Sequence, residues 1–443
     1  MLLGPMIQEV ASCSPLQSNL ITENAMPCDF VVVGGGIAGI AVAELLQRSG
    51  REVVVIERNA RLCVESSAAQ QGWFHSGALY AALPNRKYLK LGMENLANLT
   101  HFYAGFPGMN LLSSGERTVP SGNRQWFQDS TFFYVYADSS TADLSFSQQC
   151  YWPMAKAMAR RSLRKNFGAT DLALLPATLL ESKNASDILS SRDRTMDTYA
   201  IAQDLVNSFM SRGGRVVLNS EVISIERNLV HHRGGKEKAN FIIVSSGDSI
   251  PNLCKQMVST IQSPILVLDR ALAAFNFVNM HPQREKTFNH VLHEVGGEQY
   301  SVIANAQYFR DKPDLAKLHR SLLVSTNKQF GKSLTKESSA IFLGKKTEIS
   351  TAWWSPRNYR PVVADTEHST IALPGKFSFC FTLAIDVCRH FGIEPEKETA
   401  LTEAYHGIPI QAPEHATRFR KLRGHGVVHG ALAKDVSQVR KIQ

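Results

Sequence analysis

Hydrophobic and polar positions follow two distinct rhythms along the chain of 443 residues. Near the start, Phe30 to Val33 and Val53 to Ile56 are continuous apolar runs, the mark of strands buried on both faces. Between them Ile37 to Arg48 has helical spacing, with Ile40, Ala41 and Leu45 available to one face and Ser49-Gly50 as the stop. Strand, glycine loop, helix and strand therefore fill one βαβ unit. From Pro264 to Phe309 the pattern changes to strand-type alternation through Ile265, Val267, Phe275, Phe277, Val291, Tyr300 and Val302, with Gly296-Gly297 as a hairpin turn. Ser321 to Ser325 and Ile341 to Thr351 read as further strands, and Ala155 to Asn166 reads as a helix. The fold class expected is α/β: a Rossmann-type domain beside a second, largely antiparallel sheet.

The longest apolar stretch, Phe30 to Leu46, is interrupted by Gly34, Gly35, Gly36, Gly39 and Glu44 and is too short for a membrane span. Residues 1–27 lack a basic segment followed by an apolar block, so they read as a flexible extension and not as a secretory signal. The seven cysteines are odd in number and widely spaced, with no C-x-x-C pair, which fits a reduced, cytoplasmic compartment and no metal site.

Composition adds one question. The formal net charge is +9, which raises nucleic acid, membranes or acidic substrates as partners. The excess is local. Tyr151 to Thr170 carries Lys156, Arg160, Arg161, Arg164 and Lys165 with no acid, and Glu414 to Gln443 carries seven cations against Glu414 and Asp435. The remainder is nearly neutral, and no zinc-finger spacing, RNP-type motif or helix-turn-helix supports specific nucleic-acid recognition. The first cluster reads as a solvated face or a contact for an anionic partner.

Within the βαβ unit, Gly34-x-Gly36-x-x-Gly39 has dinucleotide-fingerprint spacing. Gly34 permits the tight turn, Gly36 lets the backbone approach a pyrophosphate, and Gly39 lets the helix pack on the strand. The free N–H groups at the helix start, around Ile37 and Ala38, face the phosphates. Glu57, 21 residues past Gly36 at the end of the second strand, is placed to accept hydrogen bonds from the adenosine ribose. The motif alone does not separate FAD from NAD.

Four segments in order make the chain resemble the FAD-dependent oxidoreductases of the D-amino-acid oxidase (DAO) type, from Asp29 to about Gly392. The first is the fingerprint with Glu57-Arg58. The second, Glu65-Ser66-Ser67-Ala68-Ala69-Gln70-Gln71-Gly72-Trp73-Phe74-His75-Ser76-Gly77-Ala78-Leu79-Tyr80, is similar to the serine-rich and His-x-Gly-x-x-Tyr stretch of L-2-hydroxyglutarate and glycerol-3-phosphate dehydrogenases. The third runs from Arg194-Thr195-Met196-Asp197 through Gly213-Gly214 to Val222, and on to Ser245-Ser246-Gly247, where Ser246 departs from the usual alanine. The fourth is Leu373-Pro374-Gly375-Lys376, opening an apolar helix from about Ser378 to Phe391 that stops at Gly392. It departs from the family's glycine-rich, often histidine-containing loop.

The resemblance implies FAD as cofactor. It implies cofactor contacts from Ser66, Ser67 and Gln71, from the backbone of Val222, from Gly247 near the ribityl chain, and from Gly375 and Lys376, where a helix N-terminus could stabilise charge on the reduced flavin. It places His75 against the isoalloxazine ring. Oxidising a hydroxy or amino acid needs a base for the O–H or N–H proton and cations for the carboxylate. His75 is the first candidate base, with a packing, hydrogen-bonding or covalently linked histidine as the alternative. Arg360 and, next, Arg357 are candidates for the carboxylate clamp, against a surface arginine stacked on Trp or Tyr. Tyr300 and His290 are weaker catalytic candidates. His290 and His293 are out of phase on one strand and cannot both face the pocket.

The chain is therefore expected to divide into a flexible extension (1–27), a discontinuous FAD domain (28–105, 190–260 and 352–413), a substrate domain (106–189 and 261–351) and a basic tail (414–443). The function expected is oxidation of a small anionic substrate, a 2-hydroxy acid or an amino acid or amine, by hydride transfer to the flavin, with oxygen, a quinone or another acceptor. The alternatives are an oxygen-using amine or amino-acid oxidase and a flavin-binding, non-catalytic interaction protein.

Overall fold

The computed structural model describes residues 27–82, 86–111, 124–128, 132–137, 144–167, 185–283, 286–349, 360–398 and 407–424. The expected 1–27 extension therefore lies outside the described residues except for Pro27, and so does Arg357.

Strand Cys28–Val33 sits centrally in the first sheet. It pairs in parallel with Gly235–Val244 on one side and Val53–Ile56 on the other, so Val31 faces Ile242 and Val54. The path continues to Thr370–Leu373 and Val362–Asp365 at one end and to Arg215–Val217 at the other. Helices Ile37–Arg48, Thr198–Ser211 and Cys380–His390 join one apolar core with this sheet through Ile40, Leu45, Leu205, Phe209, Phe381 and Leu383. On the other face Val31, Val33, Val54 and Ile56 pack with Val230 and Ile250, so the continuous apolar strands have cover on both faces, as their sequence requires.

Glu44, the charge that interrupts the apolar run, is buried and held by Arg48 one turn later, with Nε to Oε1 at 2.7 Å. Arg48 also donates to the carbonyls of Phe102 and Glu396, and Ser208 donates to Glu44 at 2.6 Å. Arg212 pairs with Glu398 at 2.9 Å. Burial and the neighbouring carboxylates act in opposite directions on Arg48; its pairing with Glu44 prevails and raises its pKa.

The second sheet has the order Ser339–Ile349, Val258–Leu268, Glu298–Asn305, Phe288–Val295, Asn276–Met280, Phe132–Ala137 and Ala185–Ser191. Its neighbours are antiparallel except for the parallel pair Asn276–Met280 and Phe132–Ala137. The architecture is the expected one, a Rossmann-type sheet beside a largely antiparallel sheet.

Two local expectations are corrected. Ser321 to Ser325 belongs to helix Leu315–Phe330. Asp314 caps that helix by accepting from Ala316 and Lys317 N–H, Leu322, Leu323 and Thr326 face inward, and Gly331 ends it with φ +59°. A five-residue window hid this 3.6-residue period. The 414–443 segment begins with a packed helix, Glu414–Leu422, whose Phe419 and His415 are buried; 425–443 lie outside the described residues. Among the described residues no helix is long and apolar enough to cross a membrane.

Candidate active site

A cleft of about 600 Å³ opens where the first sheet's strands end. It is lined at its base by Gly34, Gly36, Ile37 and Ala38, along one wall by Glu57, Arg58, Ser66 and Ser67, and further along by Val222 and Ser246-Gly247. Pro374-Gly375-Lys376 complete the lining. Segments far apart in sequence therefore converge on one crevice at the carboxyl ends of parallel strands, where open α/β sheets bind ligands.

The glycines are used for close approach. Gly34 has φ +107°, and a Cβ there would lie 2.9 Å from the Ser245 backbone. A Cβ on Gly39 would strike the Gly34 carbonyl oxygen, so this glycine does not line the cleft but lets the helix sit against the turn. The Ile37 N–H at the helix start donates to Ser67 Oγ at 2.9 Å. Glu57 accepts from Gly35 N–H at 2.7 Å and from the Asn59 backbone and side chain at 2.8 and 2.6 Å. Its carboxylate is thereby held still at the strand end; Oε1 accepts both Asn59 bonds, and Oε2, with one donor, has lone-pair capacity left for another. Arg58 reaches Ser249 Oγ at 3.0 Å and Glu65 at 3.2 Å, and Glu65 also meets Lys345 of the second sheet at 3.5 Å.

At Gly375 (φ +68°) the chain turns into a short 3₁₀ segment, Phe377–Phe379, and then helix Cys380–His390. Lys376 is buried, with Nζ 5.0 Å from the centre of the Tyr80 ring. His75 is not among the lining residues but stands close by. Burial, and then the charges of Lys376 and Lys346, hold its imidazole well below the usual histidine range. The ring packs on Trp73 with centroids 4.0 Å apart, and its buried Nδ1 has no hydrogen-bond partner.

The segment carrying His75 is fixed by Asp193, which sequence reasoning missed. Its buried carboxylate accepts from Trp73 Nε1 at 2.9 Å, Ser76 N–H at 2.8 Å, the Ser76 hydroxyl and Tyr134 O–H at 2.6 Å. Burial nevertheless pushes its pKa up. Neither composition nor spacing marks a lone aspartate at a strand end as a hub, because its four donors come from two segments far from it in sequence.

Several candidates fall elsewhere. Gln71 does not line the cleft; its amide donates to Asn289 at 2.5 Å and to the Val302 carbonyl at 3.2 Å, tying the flavin-like loop to the second sheet. His290 faces the opposite side of its strand, buried among Phe277 and Phe330, with Nε2 2.7 Å from Ser301 Oγ and Nδ1 3.0 Å from the Phe275 carbonyl. It is a satisfied core histidine with no path to the cleft. Tyr300 is also buried, stacked on Phe419 and hydrogen-bonded to His415 at 2.8 Å, so it packs the C-terminal helix. His293, one phase away from His290, bonds the Gln71 carbonyl at 2.8 Å. Arg360 is partly buried two residues before strand Val362–Asp365 and is not among the lining residues.

The family model for FAD dependent oxidoreductase (DAO) matches residues 29–291. The chain belongs to this family of FAD-dependent oxidoreductases. Among solved structures it is similar to glycine oxidase from Geobacillus kaustophilus, with a TM-score of 0.58, 13% identity, and coverage of 86% of this chain and 100% of that one. It is also similar to L-alpha-glycerophosphate oxidase from Mycoplasma pneumoniae, solved with FAD bound, with a TM-score of 0.59, 14% identity, and coverage of 86% and 99%. At these identities the likeness is one of fold. A shorter match, 65% identical over 37 residues, is to amine oxidase [flavin-containing] B of Cavia porcellus and covers 8% of this chain and 7% of that protein.

The cofactor of the family is FAD, and the residues present fit it. The cleft offers a glycine floor that Cβ atoms would obstruct, a fixed carboxylate at the second strand end, and Ser246 Oγ, which is buried on the cleft wall with no hydrogen-bond partner. That hydroxyl sits where the family resemblance expects alanine. A volume near 600 Å³ is within the range of cofactor sites.

Proposed function

We propose that the cleft holds FAD, with the Gly34–Gly39 turn and Ser67 at its pyrophosphate, Glu57 at its ribose, Val222 near the adenine, and Gly247, Gly375 and Lys376 toward the flavin. On this reading the protein oxidises a small anionic organic substrate, a 2-hydroxy acid or an amino acid or amine, in the cytoplasm. Among the described residues six cysteines are free thiols, which supports that compartment. Bound FAD supplies a two-electron acceptor for the hydride leaving the substrate's α-carbon.

One observation carries the proposal: the buried ammonium of Lys376, which lines the cleft, acts on the buried, neutral imidazole of His75 close by. His75, held unprotonated by burial and by two cations, has Nδ1 ready to take the substrate's O–H or N–H proton. Lys376, rather than Arg360, is a cation whose charge acts on that ring, and on this reading it pairs with the substrate carboxylate while lying on Tyr80. The aromatic walls of Trp73 and Tyr80 exclude water and strengthen that pairing.

The test is anaerobic reduction of the purified yellow protein by panels of 2-hydroxy acids and amino acids, with peroxide and ammonia measured in air. His75→Asn is expected to keep its flavin and lose about 100-fold or more in kcat, and Lys376→Met to raise KM with a smaller change in kcat. FAD-loaded protein that no member of either panel reduces would overturn the enzymatic reading and favour the flavin-binding interaction protein.

A further inference from the structure

We infer that the outer face of helix Phe146–Phe167, with the start of helix Lys87–Phe102 beside it, docks the protein onto an anionic lipid surface. The longer helix contains no acidic residue. Its inner side is Trp152, Ala155, Ala159 and Leu163, all buried. On the other side Phe146, Cys150, Met154, Ala157, Arg161 and Lys165 recur at intervals of three or four and are all exposed, so they form one stripe along the helix.

The stripe changes character along its length. Its first part is apolar, with Phe146 82% and Met154 53% exposed. Its second part is cationic and opens onto a groove of about 580 Å³ between the two helices. Arg86, Lys90, Arg161 and Lys165 line this groove with Leu89 and Met93, against one acid, Glu94. All four cations are exposed, and among the described residues none has an ion-pair partner.

A single bare apolar side chain is ordinary on a protein surface. Two in line with acid-free cations on one helical face are the arrangement of a helix lying in a lipid interface. The pairing selects the occupant. A lipid surface offers an acyl layer for Phe146 and Met154 and anionic headgroups for the cations. A free phosphate or a nucleic acid would satisfy only the cationic half. None of these residues belongs to the flavin cleft, so the inference stands apart from the reading of that site.

The experiment is co-sedimentation of the full-length, FAD-loaded protein with vesicles of phosphatidylcholine alone or with about 30 mol% phosphatidylglycerol, at low and high salt. Binding to the anionic vesicles, weakened by salt, is expected. Arg161→Ala with Lys165→Ala should weaken it about 25-fold, at about fivefold for each cation near the surface. Phe146→Ser should weaken it about tenfold. These exposed positions leave flavin absorbance unchanged, which verifies folding. Equal partition onto neutral and anionic vesicles, no sedimentation with either, binding unaltered by both variants, or capture of a single-stranded RNA without vesicle binding would each overturn the inference.

Discussion

The carbonyl oxygen of Gly34 and the Cα of Gly39 are so close that a Cβ on Gly39 would lie 1.9 Å from that oxygen. The neighbour is backbone, so it cannot swing aside. Gly39→Ala is therefore expected to push the helix start off the strand, at a cost of about 1–3 kcal/mol, and to weaken FAD binding by tenfold or more. The ratio of flavin to protein absorbance after gel filtration checks this, and an unchanged ratio would show that the turn tolerates the shift.

Asp193 is predicted to position the His75 segment. Asparagine has one acceptor oxygen and an amide that would point its own protons at donors, so Asp193→Asn leaves Trp73 Nε1, Tyr134 O–H or the Ser76 donors unmet. A stability loss of about 2–4 kcal/mol is expected, with a fall in kcat larger than in Asp204→Asn, a half-buried carboxylate bonded to Trp126 and Gly108. Equal kcat in the two variants would reduce Asp193 to a packing role.

Arg48→Met should cost about 3–5 kcal/mol, because it leaves Glu44, on the nucleotide-binding helix, buried without its cation. Replacing Glu44 and Arg48 together by apolar residues should restore much of that loss. Urea unfolding of the single and double variants measures the difference, and a double variant weaker than Arg48→Met would contradict it.

His290 gives a pH signature with a definite sign. Burial is the main cause of its depressed pKa, about 3 in the fold against 6.5 for the free side chain. The neutral ring's contribution is thus full above about pH 6.5 and is lost as pH falls toward 3, at about 1.4 kcal/mol per unit. His290→Gln lacks this slope. Its stability gap from the wild type should narrow by about 2–3 kcal/mol between pH 6.5 and pH 4.5. Asp204 and Asp386, both raised to about 6, titrate with the opposite sign but are common to both proteins and cancel in the difference. A constant gap would mean that His290 is hydrated or charged.

The cofactor half of the molecule was legible because its signals are local. A glycine turn, two buried strands and a terminal carboxylate lie within 30 residues, and Gly34, Gly36, Ile37, Ala38, Glu57, Arg58, Ser66 and Ser67 all reach one cleft. The phase argument also separated His290 from His293. What failed was long-range. The second sheet's inward face cannot be told from its outward face without its partners, so alternation alone offers Tyr300 and His290 to a pocket, whereas they pack a helix and a core. Asp193 collects donors 59 and 117 residues away, which no local pattern reveals. Lys376 enters the proposed site only through a turn that brings it over Tyr80, which no local pattern shows.

The cleft also imposes an order in time. Its floor is made by Gly34 to Ala38, but Gly375 and Lys376 close its far end, and strand Thr370–Leu373 pairs beside Gly235–Val244 only once it exists. A growing polypeptide leaving the ribosome therefore exposes a half-built crevice through most of its synthesis. The crevice is whole only after Gly375 and Lys376 have been made, so binding of FAD there must follow the meeting of segments more than 300 residues apart.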